Sequence, residues 1–317
     1  MKRFVFGAFL GATLGATGLI PLSAAMAQED GAAPPKEATT ENTIVVTGER
    51  LPDKAVNRFI YDMIRPQAIG QDSQYPRLRD DFCPSVIGFP EEAANAITER
   101  MRRVARAAGI PVATGDCRAN MHLVRVEDGP KAIRYLREKN ARASFGIMPL
   151  WQRDLIERRE GPVYSWQQTY PYGADSDAAA VSNLVNGGPL GEGALNFNFI
   201  YQNPRMRTPV TTAFRHSTVM VERAALEDVS PTQLADFAVM RGLVTAREDR
   251  FREGARTADS ILNLFDPAVD PDERLPSLGR MDLALLTSLY AAPDDVNANR
   301  QRGRMVKTFK AVLEELE

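Results

Sequence analysis

The chain has 317 residues, 44% hydrophobic and 25% charged, and a formal charge of −2 at pH 7. That composition is ordinary for a globular protein with a core, and the near-neutral balance lacks the basic footprint that DNA or RNA binding requires. Without its leader and a polar stretch, roughly 270 residues remain, enough for one large domain or two small ones.

The first 27 residues read as a secretory signal. Lys2 and Arg3 precede an apolar run over residues 4–22, and Ala25-Met26-Ala27 supplies an A-x-A cleavage motif. Gly11, Gly15 and Gly18 break the run, which favours a cleaved leader over a retained anchor. The mature chain then begins near Gln28, where no cysteine offers a site for lipid attachment. No second uninterrupted apolar run approaches the ~20 residues of a spanning helix. The expected product is periplasmic or secreted, soluble or at most peripheral, with no transmembrane segment after cleavage.

Residues 28–43 hold Ala, Pro, Thr, Glu and Lys with no large apolar side chain, and read as a flexible tether. A single domain is expected over 44–317. Its first segment, Ile44-Val45-Val46-Thr47-Gly48, is a β-branched run closed by glycine and therefore strand-forming. It resembles the TonB box by which outer-membrane TonB-dependent receptors engage their energy-transducing partner. That resemblance implies an envelope protein partner captured by strand addition. The chain is nevertheless too short to hold a 22-stranded receptor barrel beside the helices read below. The competing reading makes the segment a first strand of the domain or an unpaired extended stretch.

Cys83 and Cys117 are the two cysteines, and export into an oxidising compartment predicts that they pair. Closing that loop contributes about 3 to 4 kcal/mol in the chain-entropy model. A redox role would place them close together as C-x-x-C, and they are far apart.

Residues 91–108 form the clearest helix, with Ala94, Ile97, Met101, Val104, Ala105 and Ala108 on one face. Glu99, Arg100, Arg102, Arg103 and Arg106 lie mostly outside that face. Pro90 suits the first helical position, and Gly109 with Pro111 stops the chain. A strand is read over 120–126, a helix over 130–139, and a β-type aromatic segment over 162–170. The glycine-rich stretch 186–193 has no period and reads as a long surface loop, without the lysine or setting of a phosphate-binding loop. After a strand at 216–221, Ser230 and Gln233 form a capping box with Pro231 in the first turn, and Gly242 ends the helix. Helices over 282–290 and 297–316 follow. The last carries Met305, Val306, Phe309, Val312, Leu313 and Leu316 on one stripe.

This order of helix, strand, strand, capped helix, the turn Asp259-Ser260-Ile261-Leu262-Asn263 and a helix ending in Leu289-Tyr290 resembles the zincin metallopeptidases, in particular their metzincin-like branch. The resemblance covers roughly residues 91–292. It implies an α+β fold, with a zincin-like mixed sheet packed with helices and C-terminal helices after it. In that family a helix carries H-E-x-x-H followed by x-x-G. Aligning the glycine with Gly242 puts Ala235 and Val239 at the two histidine positions, Asp236 at the glutamate, Thr245 at the third ligand and Leu262 at the methionine of the turn.

Catalytic zinc is normally held by three protein ligands with a fourth position left for water. The chain has two histidines, His122 and His216, on separate strands, so the expectation is no metal site, no cofactor and no catalytic set. A two-histidine site completed by a carboxylate is the competing arrangement. Asp236 reads as a solvated helix residue rather than a general base. Ser217 and His216 are strand neighbours and point to opposite faces, which separates nucleophile from base. Asp175 with Asp177, and Asp294 with Asp295, sit in turn-like sequence. Asp266, Asp270 and Asp272 offer oxygens without the spacing of a calcium loop.

The expected function is therefore an exported, non-catalytic binding or accessory protein of a bacterial envelope on a peptidase-like scaffold. The alternatives are a hydrolase with a ligand set around the glycine-rich loop, marked by acids converging on His216, and a structural envelope component, marked by an extended apolar patch.

Overall fold

The computed structural model describes residues 51–69, 72–173, 210–247 and 260–316. Contacts divide the chain into Met1–Glu49, which lies outside the described residues, and Arg50–Glu317. The segment Ile44-Val45-Val46-Thr47-Gly48, the glycine-rich stretch 186–193, Asp175 and Asp177 also lie outside them.

Helix α1 (Asp53–Met63) buries Val56, Phe59, Ile60 and Met63, the i, i+3, i+4, i+7 stripe of an amphipathic helix. Two short strands, β1 (Gln67–Ile69) and β2 (Asp72–Gln74), pair antiparallel. The main sheet contains β3 (Arg77–Leu78), β4 (Pro84–Ile87), β5 (Met121–Val126), β6 (Val163–Gly173) and β7 (Val210–Glu222). Strand β7 organises it. One edge of β7 pairs antiparallel with β6 along nearly its whole length; the other pairs parallel with β3 at Ala213 and Phe214 and with β5 from Ser217 to Glu222. Strand β4 lies parallel outside β5. The result is a mixed α/β protein with a largely parallel sheet packed against helices, consistent with the α+β class expected.

Alternation along the strands fixes what each face meets. Met121 and Leu123 of β5, with Phe214, Val219 and Val221 of β7, are buried in the main core. That face is covered by α2 (Glu91–Ala107) and α6 (Pro231–Leu243), whose Ile97, Met101, Val104, Leu234, Ala235, Ala238 and Val239 belong to the same core. Met220, Tyr164 and Trp166 point to the opposite face. There they join Ile133, Phe145 and Ile156 of α3 (Gly129–Lys139), α4 (Ala141–Phe145) and α5 (Leu150–Glu157) in a second, smaller core. Helices α7 (Arg280–Ala291) and α8 (Ala298–Glu315) complete the main core, and Phe59 of α1 meets Phe309 of α8 with ring centroids 5.5 Å apart.

Local signals explain the helix ends. Ser230 and Gln233 form the predicted capping box, with Pro231 at the first helical position. Pro90 is the N-cap of α2 rather than its first residue, and Gly109 beyond the C-terminus has φ +72°, a backbone state that favours glycine. Gly242 corrects the sequence reading. It lies inside α6, whose C-cap is an extended Val244, so it does not end the helix by turning left-handed. Its role is proximity: an added Cβ would meet Met121 Cε at 2.5 Å. Leu316 is a second correction, being exposed past the last packed turn of α8. Cys83 and Cys117 form the expected disulfide, with Cα atoms 6.2 Å apart. No helix among the described residues is long and apolar enough to cross a membrane.

Candidate functional site

Helix α6 is where the peptidase resemblance places its chemistry, and all three of its aligned residues, Ala235, Asp236 and Val239, are fully buried. Ala235 and Val239 are core side chains without a donor atom for a metal. Asp236 is not the solvated residue expected from the sequence. Arg100 of α2 donates from Nε to Asp236 Oδ1 and from Nη2 to Oδ2, both at 2.7 Å, and Leu278 N donates to Oδ2 at 2.6 Å. A carboxylate removed from water needs such compensation, and a forked pair meets it at both oxygens. The same contact raises the pKa of Arg100 through its hydrogen bond with Asp236. The carboxylate therefore ties α2, α6 and the segment before α7 together, and both its oxygens are engaged.

Thr245, aligned with the third ligand, donates its hydroxyl to the Arg65 carbonyl at 2.5 Å. Leu262, aligned with the methionine of the turn, is a core residue in a 3₁₀ turn over Ile261–Asn263. That turn hangs from a second buried acid. Asp282 accepts from Ser260 Oγ at 2.6 Å, from Ile261 N at 2.8 Å and from Gly279 N at 3.3 Å, linking the turn to the first turn of α7. Tyr290, at the other end of α7, accepts from Leu78 N at 3.0 Å and donates to the Leu243 carbonyl at 3.3 Å, joining β3 to the end of α6. The Leu-Tyr helix ending thus has a structural use here.

Asp282 gives this region a pH dependence. Burial pushes its carboxyl up to about 6, against the pull of its three donors, and neighbouring Asp236 raises it further. The folded state holds the proton more tightly than the unfolded chain, where the ordinary value is 3.8. The stabilisation is complete below the unfolded value and is lost as pH rises through about 6. We expect Asp282→Asn to remove that component, so that the denaturant midpoint of the parent falls more steeply between about pH 4 and 7 than that of the variant. Equal slopes would assign the pH dependence elsewhere.

The histidines do not join this cluster. His122 pairs in register with Thr218, and His216 is two residues before Thr218, so both imidazoles fall on the face of Met220 and Trp166. Asp236 belongs to the helix on the other face, and the sheet lies between them. Burial lowers the pKa of both histidines, and His122 with Arg118 and Arg215 lowers that of His216 further. His122 Nδ1 is buried with no hydrogen-bond partner among the described residues. Ser217 is buried on the α6 face, away from His216. Among the described residues, no group of three His, Cys, Asp or Glu side chains could hold a metal ion.

Several other acids have local duties. Asp266 accepts from Ala268 N and Asp270 from Asp272 N, both within turns, and Asp294 pairs with Arg77 at 3.3 Å. A recess at the C-terminal ends of β5 and β7 gathers Glu127, Asp128, Glu160 and Glu222 beside Tyr164. Asp128 caps α3 through Lys131 N, Glu127 pairs with Arg223, and Glu222 accepts from Gly129 N at 2.9 Å and from Tyr164 at 3.3 Å. Burial and Glu222 push the Tyr164 phenol up to about 12. His216 is not among the residues that line this recess.

Sequence reasoning missed Arg100, although a signal was present. Asp236 is the lone charge in the run Leu234-Ala235-Asp236-Phe237-Ala238-Val239-Met240, and a charge amid a core stripe demands a partner. Comparisons with protein-family models, with curated proteins and with solved structures found no match to this chain.

Proposed function

We propose that the chain is a non-catalytic binding or accessory protein of the bacterial envelope, exported to the periplasm or beyond and built on a degenerate zincin-like scaffold. Several features support this reading. An antiparallel edge strand, β6, lies beside β7; a buried helix follows β7 and is backed by α2; the Ser260 turn and a helix ending in Leu289-Tyr290 come after it. The single observation that carries the non-catalytic part is the forked Arg100–Asp236 pair. A general base must reach a water or substrate proton, and this carboxylate is fully buried with both oxygens occupied.

The segment Ile44-Val45-Val46-Thr47-Gly48 lies outside the described residues and enters the proposal as the attachment point for an envelope partner. Its alternating side chains and backbone groups suit strand addition to an exposed sheet edge.

A hydrolysis assay tests the proposal, using unfolded-protein and peptide substrates before and after addition of zinc. The expected result is no turnover under either condition. Zinc-dependent turnover that disappears in Asp236→Asn, with the fold intact by circular dichroism, would restore the hydrolase reading.

A further inference from the structure

The helical layer between β5 and β6 has a surface that neither the core nor the α6 cluster explains. Helix α5 has only eight residues, yet Leu150, Trp151 and Leu155 are 47%, 60% and 62% exposed. Trp151, Leu155 and Arg158 follow one another at i, i+4 and i+7, so they form one outward stripe. The opposite stripe is anchored. Ile156 is in the second core, while buried Arg153 donates from Nε to the Met148 carbonyl at 2.9 Å and from Nη2 to the Gly146 carbonyl at 3.3 Å. The exposed stripe is therefore presented by a fixed helix.

Charge is concentrated in the same place. Residues 129–159 contain eight Lys and Arg against three Asp and Glu, a balance of +5 in a chain whose total is −2, with the acids Glu127, Asp128 and Glu160 gathered at the opposite end, where α3 begins and α5 has ended. Two of the three acids, Asp154 and Glu157, are engaged by Arg137, Asp154 at 2.7 Å. The charged side chains left exposed are Lys131, Arg134, Lys139, Arg142 and Arg158, against Glu138 alone. Arg134 and Arg137 meet Glu157 and Asp154 respectively, so α3 and α5 run antiparallel. That pairing brings the Lys139 end of α3, which leads to Arg142, towards the Leu150 and Trp151 end of α5.

From this geometry we propose that the layer docks the protein on an anionic phospholipid surface. Helix α5 lies in the interface, with Trp151 and Leu155 inserted among the acyl chains and the surrounding cations against the headgroups. Apolar side chains with a tryptophan on a basic helical surface are the pattern of an interfacial helix, and each nearby cation adds attraction to a negative leaflet. Protein interfaces are instead depleted in lysine, which favours lipid as the occupant here. The inference stands apart from the peptidase resemblance, because it uses a different face of the sheet.

Tryptophan emission reads this proposal directly, because the only other tryptophan, Trp166, is 3% exposed. The full chain is mixed with vesicles of phosphatidylcholine alone or of phosphatidylcholine with phosphatidylglycerol, and partitioning is followed by co-sedimentation. The expected result is binding to the anionic vesicles with a blue shift that is absent in Trp151→Phe, and weakening by salt. Trp151→Ser with Leu155→Ser, and separately Lys139→Glu with Arg142→Glu, are each expected to reduce partitioning by about tenfold or more. All four positions are exposed, and circular dichroism checks that the variants stay folded. Absence of binding, equal binding to neutral vesicles, or binding unchanged in both double variants would overturn the proposal. So would capture of a protein partner by this stripe while anionic vesicles are ignored.

Discussion

Replacing Arg100 with alanine is expected to destabilise the protein by about 3 to 5 kcal/mol, the usual cost of leaving one member of a buried ion pair behind. Asp236 would remain in the main core with only Leu278 N as a donor, in place of three hydrogen bonds. Denaturant unfolding followed by circular dichroism measures the loss. The double variant Arg100→Met with Asp236→Leu is expected to recover much of it, because no buried charge is then left unpaired and only Leu278 N loses its acceptor. A loss below about 1 kcal/mol in the single variant would mean that water reaches the carboxylate. That outcome would undermine the assignment of Asp236 to structure rather than chemistry.

Breaking the disulfide is the second large effect. Cys83 and Cys117 are separated by 34 positions, and opening that loop costs about 4 kcal/mol in the chain-entropy model. The folded geometry there is independently held. Asn120 N donates to the Cys83 carbonyl, Cys83 N donates to Asn120 Oδ1, Asn120 Nδ2 donates to the Asp81 carbonyl, and Phe82 bridges to Val112. The paired variant Cys83→Ser with Cys117→Ser is therefore expected to fold to the same structure with a lower denaturant midpoint. Reduction of the parent protein is expected to give the same shift. Equal midpoints for oxidised and reduced protein would show that the bond constrains little in the unfolded chain.

Periodic signals carried well from sequence to structure. The stripe of Ile97, Met101, Val104 and Ala105 is buried in α2, and the alternation of Met121 and Leu123 against His122 and Val124 is the alternation of β5. The capping box at Ser230 was explicit because both of its side chains are local. Less was legible where an element is short or its partner is distant. Strands β3 and β4 have two and four residues, too few for a period to emerge. Helix α1 carries a complete stripe in Val56, Phe59, Ile60 and Met63, but it is a short helix and Pro52 before it offers no side-chain cap. Helices α4 and α5 have only five and eight residues, and Leu155 on the exposed face of α5 looks like core in a sequence. The site suffered most from distance. Arg100 and Asp236 are 136 positions apart, and nothing in either helix alone specifies the other.

The central claim is that α6 is occupied by packing and ion pairing at Ala235, Asp236 and Val239, the positions that the proposed zincin likeness aligns with the metal site. Elemental analysis of the purified protein after dialysis against dilute zinc, combined with thermal melting before and after a chelator, tests it most directly. The account predicts zinc well below one ion per chain and an unchanged Tm. One zinc retained per chain, with a melting point that drops when the chelator removes it, would contradict it.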